Sequence, residues 1–208
     1  MGNLSFRLSS FVSRTKMYSQ NPTRVSYHTQ NDSLLLQEWL NDEEMYHRVG
    51  GPARIQYNEN GSLSSQGWFE NGEYHRLDGP ASTYTSEDGS SVEVWMKNGI
   101  RHRIEGPAVI INRENFYSEE WFQNGILHRI DGPAYLCIEN EVTVIEQYFK
   151  NGKYHRINGP ANTIYFSRKK LNGEVYRTLW VKEWFENGKY QPDSNKALVS
   201  GGALDSIR

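Results

Sequence analysis

The chain repeats itself. Five times it writes His-Arg, a short spacer and Gly-Pro-Ala: His47-Arg48 before Gly51-Pro52-Ala53, His75-Arg76 before Gly79-Pro80-Ala81, His102-Arg103 before Gly106-Pro107-Ala108, His128-Arg129 before Gly132-Pro133-Ala134, and His155-Arg156 before Gly159-Pro160-Ala161. The steps between histidines are 28, 27, 26 and 27 residues. Ahead of four copies stands an aromatic residue, two further residues and Asn-Gly: Trp68 with Asn71-Gly72, Trp95 with Asn98-Gly99, Trp121 with Asn124-Gly125, and Tyr148 with Asn151-Gly152. A unit this short cannot enclose a core of its own and has to stack on its neighbours.

Partial copies stand at both ends. Pro22-Thr23-Arg24-Val25-Ser26-Tyr27 parallels Pro52-Ala53-Arg54-Ile55-Gln56-Tyr57, and Trp39 occupies the place of Trp68, but Asn41-Asp42-Glu43-Glu44 replaces the first Asn-Gly. Trp184-Phe185-Glu186-Asn187-Gly188 is intact, after which Gln191-Pro192 replaces His-Arg. The units run 22–51, 52–79, 80–106, 107–132, 133–159 and 160–191, the last with an insertion near Arg168-Lys169-Lys170-Leu171-Asn172-Gly173; tails of 1–21 and 192–208 lie outside. Altered terminal units are expected where an array must cap its ends.

Asn-Gly between apolar segments is the strongest short hairpin signal, because a type I′ turn needs positive φ at both positions. The flanks are rich in Trp, Tyr, Phe, Val and Ile and alternate as strands do: Val142, Val144, Glu146 and Tyr148 against Thr143, Ile145, Gln147 and Phe149. A second reversal falls in segments of variable length such as Ser86-Glu87-Asp88-Gly89 and Asn112-Arg113-Glu114-Asn115. Identical units must begin in one direction, so each holds an even number of reversals, and Gly-Pro-Ala is then a corner inside one long strand. The expected fold is all-β: an elongated antiparallel β-hairpin array, a meander or solenoid, with two strands per unit and about twelve in all.

Composition narrows the functions. Hydrophobic residues are 37% of the chain, under the roughly 45–50% of globular domains, while aromatics reach 13%, so Trp and Tyr are the expected burial material. The net charge of −2 lacks the basic excess of a nucleic-acid binder. A single cysteine, Cys137, makes no internal disulfide and fits a reducing, intracellular setting. No apolar run approaches the ~20 residues that span a bilayer. From Met1 to Asn31 there is no acidic residue, while Arg7, Arg14, Lys16 and Arg24 are basic, and Leu4, Leu8, Phe11 and Val12 can share a helical face. A basic tail is the plainer reading, with mitochondrial targeting or a start at Met17 as alternatives.

The His-Arg pair carries the chemistry worth weighing. In an extended strand neighbours face opposite ways, which predicts a row of His47, His75, His102, His128 and His155 on one face and of Arg48, Arg76, Arg103, Arg129 and Arg156 on the other. Two strands per unit set the histidines ~9.6 Å apart, too far to share a metal whose ligands lie within ~4 Å of each other, so no metal and no cofactor is expected. Asp78 and Asp131 follow two residues after an Arg, with Glu105 and Asn158 in matching places, which argues for local pairing of the guanidinium. The simplest role for His is to pack on the repeated Trp and bond a turn carbonyl. Trp68, Trp95 and Trp121 read most simply as core, with any exposed part forming a binding stripe. No Ser, Cys or carboxylate recurs beside His, so no catalytic residue is assigned.

The unit Trp-Phe-x-Asn-Gly…His-Arg-x-Asp-Gly-Pro-Ala resembles the MORN-like repeats of the YwqK antitoxin type, closest to the variant found in large DNA viruses and some phages. The resemblance covers residues 22–191. It implies a hairpin array that acts by binding, often in a virus or in toxin neutralisation, with no catalytic residue. The leading expectation is a non-enzymatic scaffold with a protein partner, using the repeated His, Arg and Trp positions. Sequestration of a small anionic ligand or nucleotide between units, and a structural role in a virion, are the alternatives. Self-association through exposed strand edges at the array ends is a further expectation.

Overall fold

The computed structural model describes residues 20–169 and 175–192. The apolar positions of the N-terminal tail, most of the insertion after Arg168 and nearly all of the C-terminal tail lie outside the described residues. Among those described there is no helix.

The protein is all-β, and hairpins connect its strands. Thirteen strands form one antiparallel sheet in the order Arg24–Tyr27, Leu34–Glu38, Arg54–Tyr57, Leu63–Gly67, Ser82–Thr85, Ser91–Val94, Val109–Arg113, Phe116–Glu120, Tyr135–Glu139, Thr143–Gln147, Asn162–Lys169, Val175–Glu186 and Lys189–Gln191. The spatial order follows the chain, and the first and last strands do not pair, so the sheet is not a closed barrel. Each pair of long strands is joined by the variable loop, as short as Glu114-Asn115 between Val109–Arg113 and Phe116–Glu120.

The remaining strands form four separate two-stranded hairpins: Phe69–Glu70 with Glu73–Tyr74, Met96–Lys97 with Ile100–Arg101, Phe122–Gln123 with Ile126–Leu127, and Phe149–Lys150 with Lys153–Tyr154. Each turns at Asn-Gly with both φ values positive, as at Asn71 (49°) and Gly72 (84°), which a type I′ turn demands. At the altered first unit only the bridge Leu40↔Tyr46 forms, and the Asn41 side chain accepts from the backbone N–H groups of Glu43 and Met45.

This corrects the expectation of one continuous sheet of two strands per unit. A single residue (Trp39, Trp68, Trp95, Trp121 or Tyr148) leaves the long strand and opens the short hairpin. Its N–H donates to the alanine carbonyl of the following unit, as from Trp95 to Ala108 at 2.7 Å. Its own carbonyl accepts from the histidine N–H of its unit, as from His102 to Trp95 at 3.0 Å. The two bonds point to different partners, so pairing switches at this residue and the ladder divides. Gly-Pro-Ala is accordingly part of an irregular connector between a short strand and the next long one, and not a corner within a strand. In the last unit no such break occurs: Val175–Glu186 runs through Trp184 and pairs with Lys189–Gln191.

The burial material also differs from expectation. The residues buried completely in every unit are the alanines of Gly-Pro-Ala: Ala53, Ala81, Ala108, Ala134 and Ala161 are all 0% exposed, and Thr163 (0%) and Ser118 (1%) join them on the sheet. Alanine carries too little side chain to separate the backbones on either side, and Ala108 bonds Glu120 through its N–H and Trp95 through its carbonyl. Of the tryptophans, Trp39 is buried with Ala53 and Phe69, while Trp68, Trp95 and Trp121 are half-buried. Aromatic rings link successive short hairpins near the ends, Tyr46 to Phe69 at 5.0 Å and Tyr154 to Phe185 at 5.1 Å between centroids. Cys137 is free and buried, as a small hydrophobe would be; burial is the main cause that pushes its thiol above the ordinary range.

Candidate binding face at the connectors

The connectors place every predicted site residue, though not in two opposed rows. His and Arg lie outside the strands. The guanidinium, not the imidazole, covers the indole. Arg48 stands 3.7 Å over Trp39, Arg76 3.9 Å over Trp68, Arg103 3.9 Å over Trp95, Arg129 3.8 Å over Trp121, and Arg156 3.8 Å over the Tyr148 ring. Each of these arginines also donates from Nη1 to the proline carbonyl four residues on, at 3.2, 3.4, 3.1, 3.3 and 3.2 Å along the chain.

That geometry accounts for the glycine before each proline. A Cβ on Gly79, Gly106 or Gly132 would meet the guanidinium carbon of its own unit at 2.5, 2.6 and 2.7 Å. The guanidinium is held between an aromatic ring and a bare backbone, so Trp, Arg, Gly and Pro form one clasp. The expected local pairing is real in two units: Nε of Arg76 donates to Asp78 and that of Arg129 to Asp131, both at 2.9 Å. These bonds are the first cause that holds the Asp78 and Asp131 carboxyls below the usual range.

The histidines bond the next unit. Nδ1 of His47, His75, His102, His128 and His155 accepts from the backbone N–H of Asn71, Asn98, Asn124, Asn151 and Asn187, at 3.1, 3.3, 3.0, 3.1 and 3.1 Å. The ring therefore fastens to a turn N–H across units, where a turn carbonyl within reach of Trp was expected. At His47, His102, His128 and His155 an accepting Nδ1 places the ring proton on Nε2, whereas Nδ1 of His75 also meets the Asn98 side-chain oxygen at 2.6 Å, a contact in which Nδ1 is the donor. Two backbone bonds run beside each one. Around His102, Arg103 N–H donates to the Phe122 carbonyl at 3.1 Å and Gly125 N–H to the Arg101 carbonyl at 2.9 Å. Among the described residues no group of three His, Cys, Asp or Glu is placed to hold a metal.

One position went unmarked in the sequence reading. The residue after each His-Arg is Val49, Leu77, Ile104, Ile130 or Ile157, exposed by 64, 75, 73, 86 and 77%. Aligning the five copies on His-Arg shows the signal, since the spacer always opens with a branched aliphatic residue. Between consecutive members lie four grooves of about 340, 520, 480 and 390 Å³ in chain order, each flanked by the aliphatic residues of two adjoining units and by the Arg and His of its clasp.

The class of molecule these features define is an antiparallel all-β protein with a file of exposed aliphatic side chains on connectors fixed by arginine clasps. No protein-family model matches the sequence, and no curated protein matches it. Among the described residues no helix is long and apolar enough to cross a membrane.

Proposed function

We propose that the chain is a non-enzymatic interaction scaffold of the MORN-like kind, an elongated array of hairpin units whose connector face receives a protein partner. One observation carries this reading: five equivalent aliphatic side chains stand exposed at five equivalent places. Branched aliphatic surface held in water is costly, and a repeated apolar file is the ordinary mark of a docking face. The histidines and arginines support it as the frame of that face. Their Nδ1 and Nη1 atoms are already committed to Asn N–H and Pro carbonyl groups, which argues against their use in catalysis or in capture of a small anion.

Partner capture tests the reading. The purified chain and its Ile104→Asp/Ile130→Asp variant are compared as bait in native lysate. A protein retained by the first and lost from the second, with both equally folded by circular dichroism, supports the scaffold. Identical recovery on both sinks it.

Pairing between copies through the terminal strands is a second mode, favoured by the open ends of the sheet: all four residues of Arg24–Tyr27 are exposed, as are Val175 (62%) and Trp180 (67%) in Val175–Glu186.

A further inference from the structure

We infer that the occupant of the aliphatic file is an acidic segment in the polyproline II conformation, with an apolar side chain at every third residue. The inference rests on the scaffold reading and adds the chemistry of what binds.

The first argument is spacing. Adjacent members of the file stand one unit apart on connectors outside the sheet, and the two long strands that each unit adds to the sheet set an ideal advance of ~9.6 Å per unit. A polyproline II helix rises ~9.3 Å over three residues and returns every third side chain to the same side. Along the four steps from Val49 to Ile157 the mismatch is about 1 Å. An α-helix advances ~10.5 Å per seven residues and drifts by roughly 4 Å over the same four steps. A β-strand covers ~10 Å in three residues, but its third side chain points to the opposite face. Of the three regular backbones only polyproline II keeps both period and direction. A segment touching all five positions needs about thirteen residues.

The second argument is charge. The grooves are lined by the five clasp arginines with Lys97 and Lys150, against the carboxylates of Glu70, Asp78, Glu105 and Asp131. Asp78 and Asp131 are already bonded to Arg76 and Arg129. The cationic excess stands where Lys97 and Lys150 are, in the two grooves that end at Ile104 and Ile157; the groove between Val49 and Leu77 is balanced, and the one between Ile104 and Ile130 carries one carboxylate more than it has cations. A segment that alternates apolar and carboxylate side chains meets both features. Polyproline II also leaves its carbonyls unbonded, and the lysine amines flanking the file are donors for them.

The closing experiment uses the full chain and three fluorescein-labelled acidic peptides of equal length, read by fluorescence anisotropy. One repeats Leu-Pro-Glu for thirteen residues. The second places leucine at every fourth position among proline and glutamate. The third is a helical peptide with leucines at heptad spacing. The expected result is binding of the first at least tenfold tighter than either control. That binding is lost in Ile104→Asp/Ile130→Asp, and it is weakened severalfold, with a shallower salt dependence, in Lys97→Ala/Lys150→Ala. Tighter binding of the heptad or four-residue peptide overturns the inference, as does binding that ignores the Ile104 and Ile130 changes or failure of all three peptides to bind. In each of these outcomes partner capture that depends on Ile104 and Ile130 would leave the scaffold standing, whereas loss of that dependence would remove the scaffold itself.

Discussion

The two parts of each unit are written by different rules. In the thirteen-stranded sheet equivalent segments share little: Arg54-Ile55-Gln56-Tyr57, Ser82-Thr83-Tyr84-Thr85 and Val109-Ile110-Ile111-Asn112 occupy matching places. In the connectors His-Arg and Gly-Pro-Ala recur in all five copies. The difference follows from who makes the bonds. Strands are joined by main-chain groups, which every residue but proline supplies in full, so any side chain fit for a pleated surface will do. The connectors bond through side chains, guanidinium to proline carbonyl and imidazole to turn N–H, and only one residue type has the required shape at each place.

This contrast is sharpest where an extra atom has no room. Gly132→Ala sets a methyl 2.7 Å from the Arg129 guanidinium, so the clasp must open or the backbone shift. A loss of about 2–3 kcal/mol is expected in urea unfolding, a magnitude typical of overpacking. A value under about 0.5 kcal/mol would show that the clasp is loose. Arg129→Lys keeps the charge but loses the planar stack and the fork that reaches both Pro133 and Asp131; about 1–2 kcal/mol is expected from the same measurement. Next comes His128→Ala, which strips the Asn151 N–H of its partner in the neighbouring unit, for about 1 kcal/mol, with faster hydrogen exchange confined to the Asn151-Gly152 turn. By contrast Thr83→Val, on the sheet, should stay within about 0.5 kcal/mol, and a larger cost there would break the comparison.

The smallest effects are those of pH. Burial first, then a hydrogen bond to Glu119, pushes the Tyr117 phenol up to about 12; burial first, then Cys137, does the same for Tyr135. An unfolded tyrosine ionises near ~10. The folded pKa lies above the unfolded one, so the contribution of each is full below pH ~10 and is lost as pH rises through about 12. Tyr117→Phe should flatten the fall in unfolding midpoint over that window, and an unchanged slope would count against the assignment. On the acid side the carboxyls of Asp78 and Asp131 are depressed, so their contribution is present above the unfolded pKa of ~3.9 and is lost as pH falls through the folded values. Both are exposed, and Asp78→Asn should shift the acid limb only slightly, in a salt-sensitive way.

The ends show the same division. Gln191 stands where the preceding units carry His, and the altered Asn41–Glu44 segment stands where the following units carry Asn-Gly. The last unit thus has no imidazole to offer a successor.

How much was legible depends on how far a bond reaches. The Asn-Gly turns, the paired reversals and the β class could be read directly, because positive φ and strand alternation are set by residues next to one another. The pairing of Arg76 with Asp78 and of Arg129 with Asp131 was legible for the same reason, being two residues long. The destination of each imidazole was not. Its partner lies 22 to 32 residues away, on a unit whose placement the local pattern does not contain. The break at each Trp was hidden likewise, since it arises from two backbone bonds that leave one residue for different units. The amino-acid sequence by itself determined that this protein is a chain of like hairpins and where each turns. Only the tertiary structure decided that arginine covers tryptophan, that histidine fastens one unit to the next, and that Val49, Leu77, Ile104, Ile130 and Ile157 face water. Those outcomes depend on where neighbouring units come to rest, which is settled by packing and not by the order of residues within one unit.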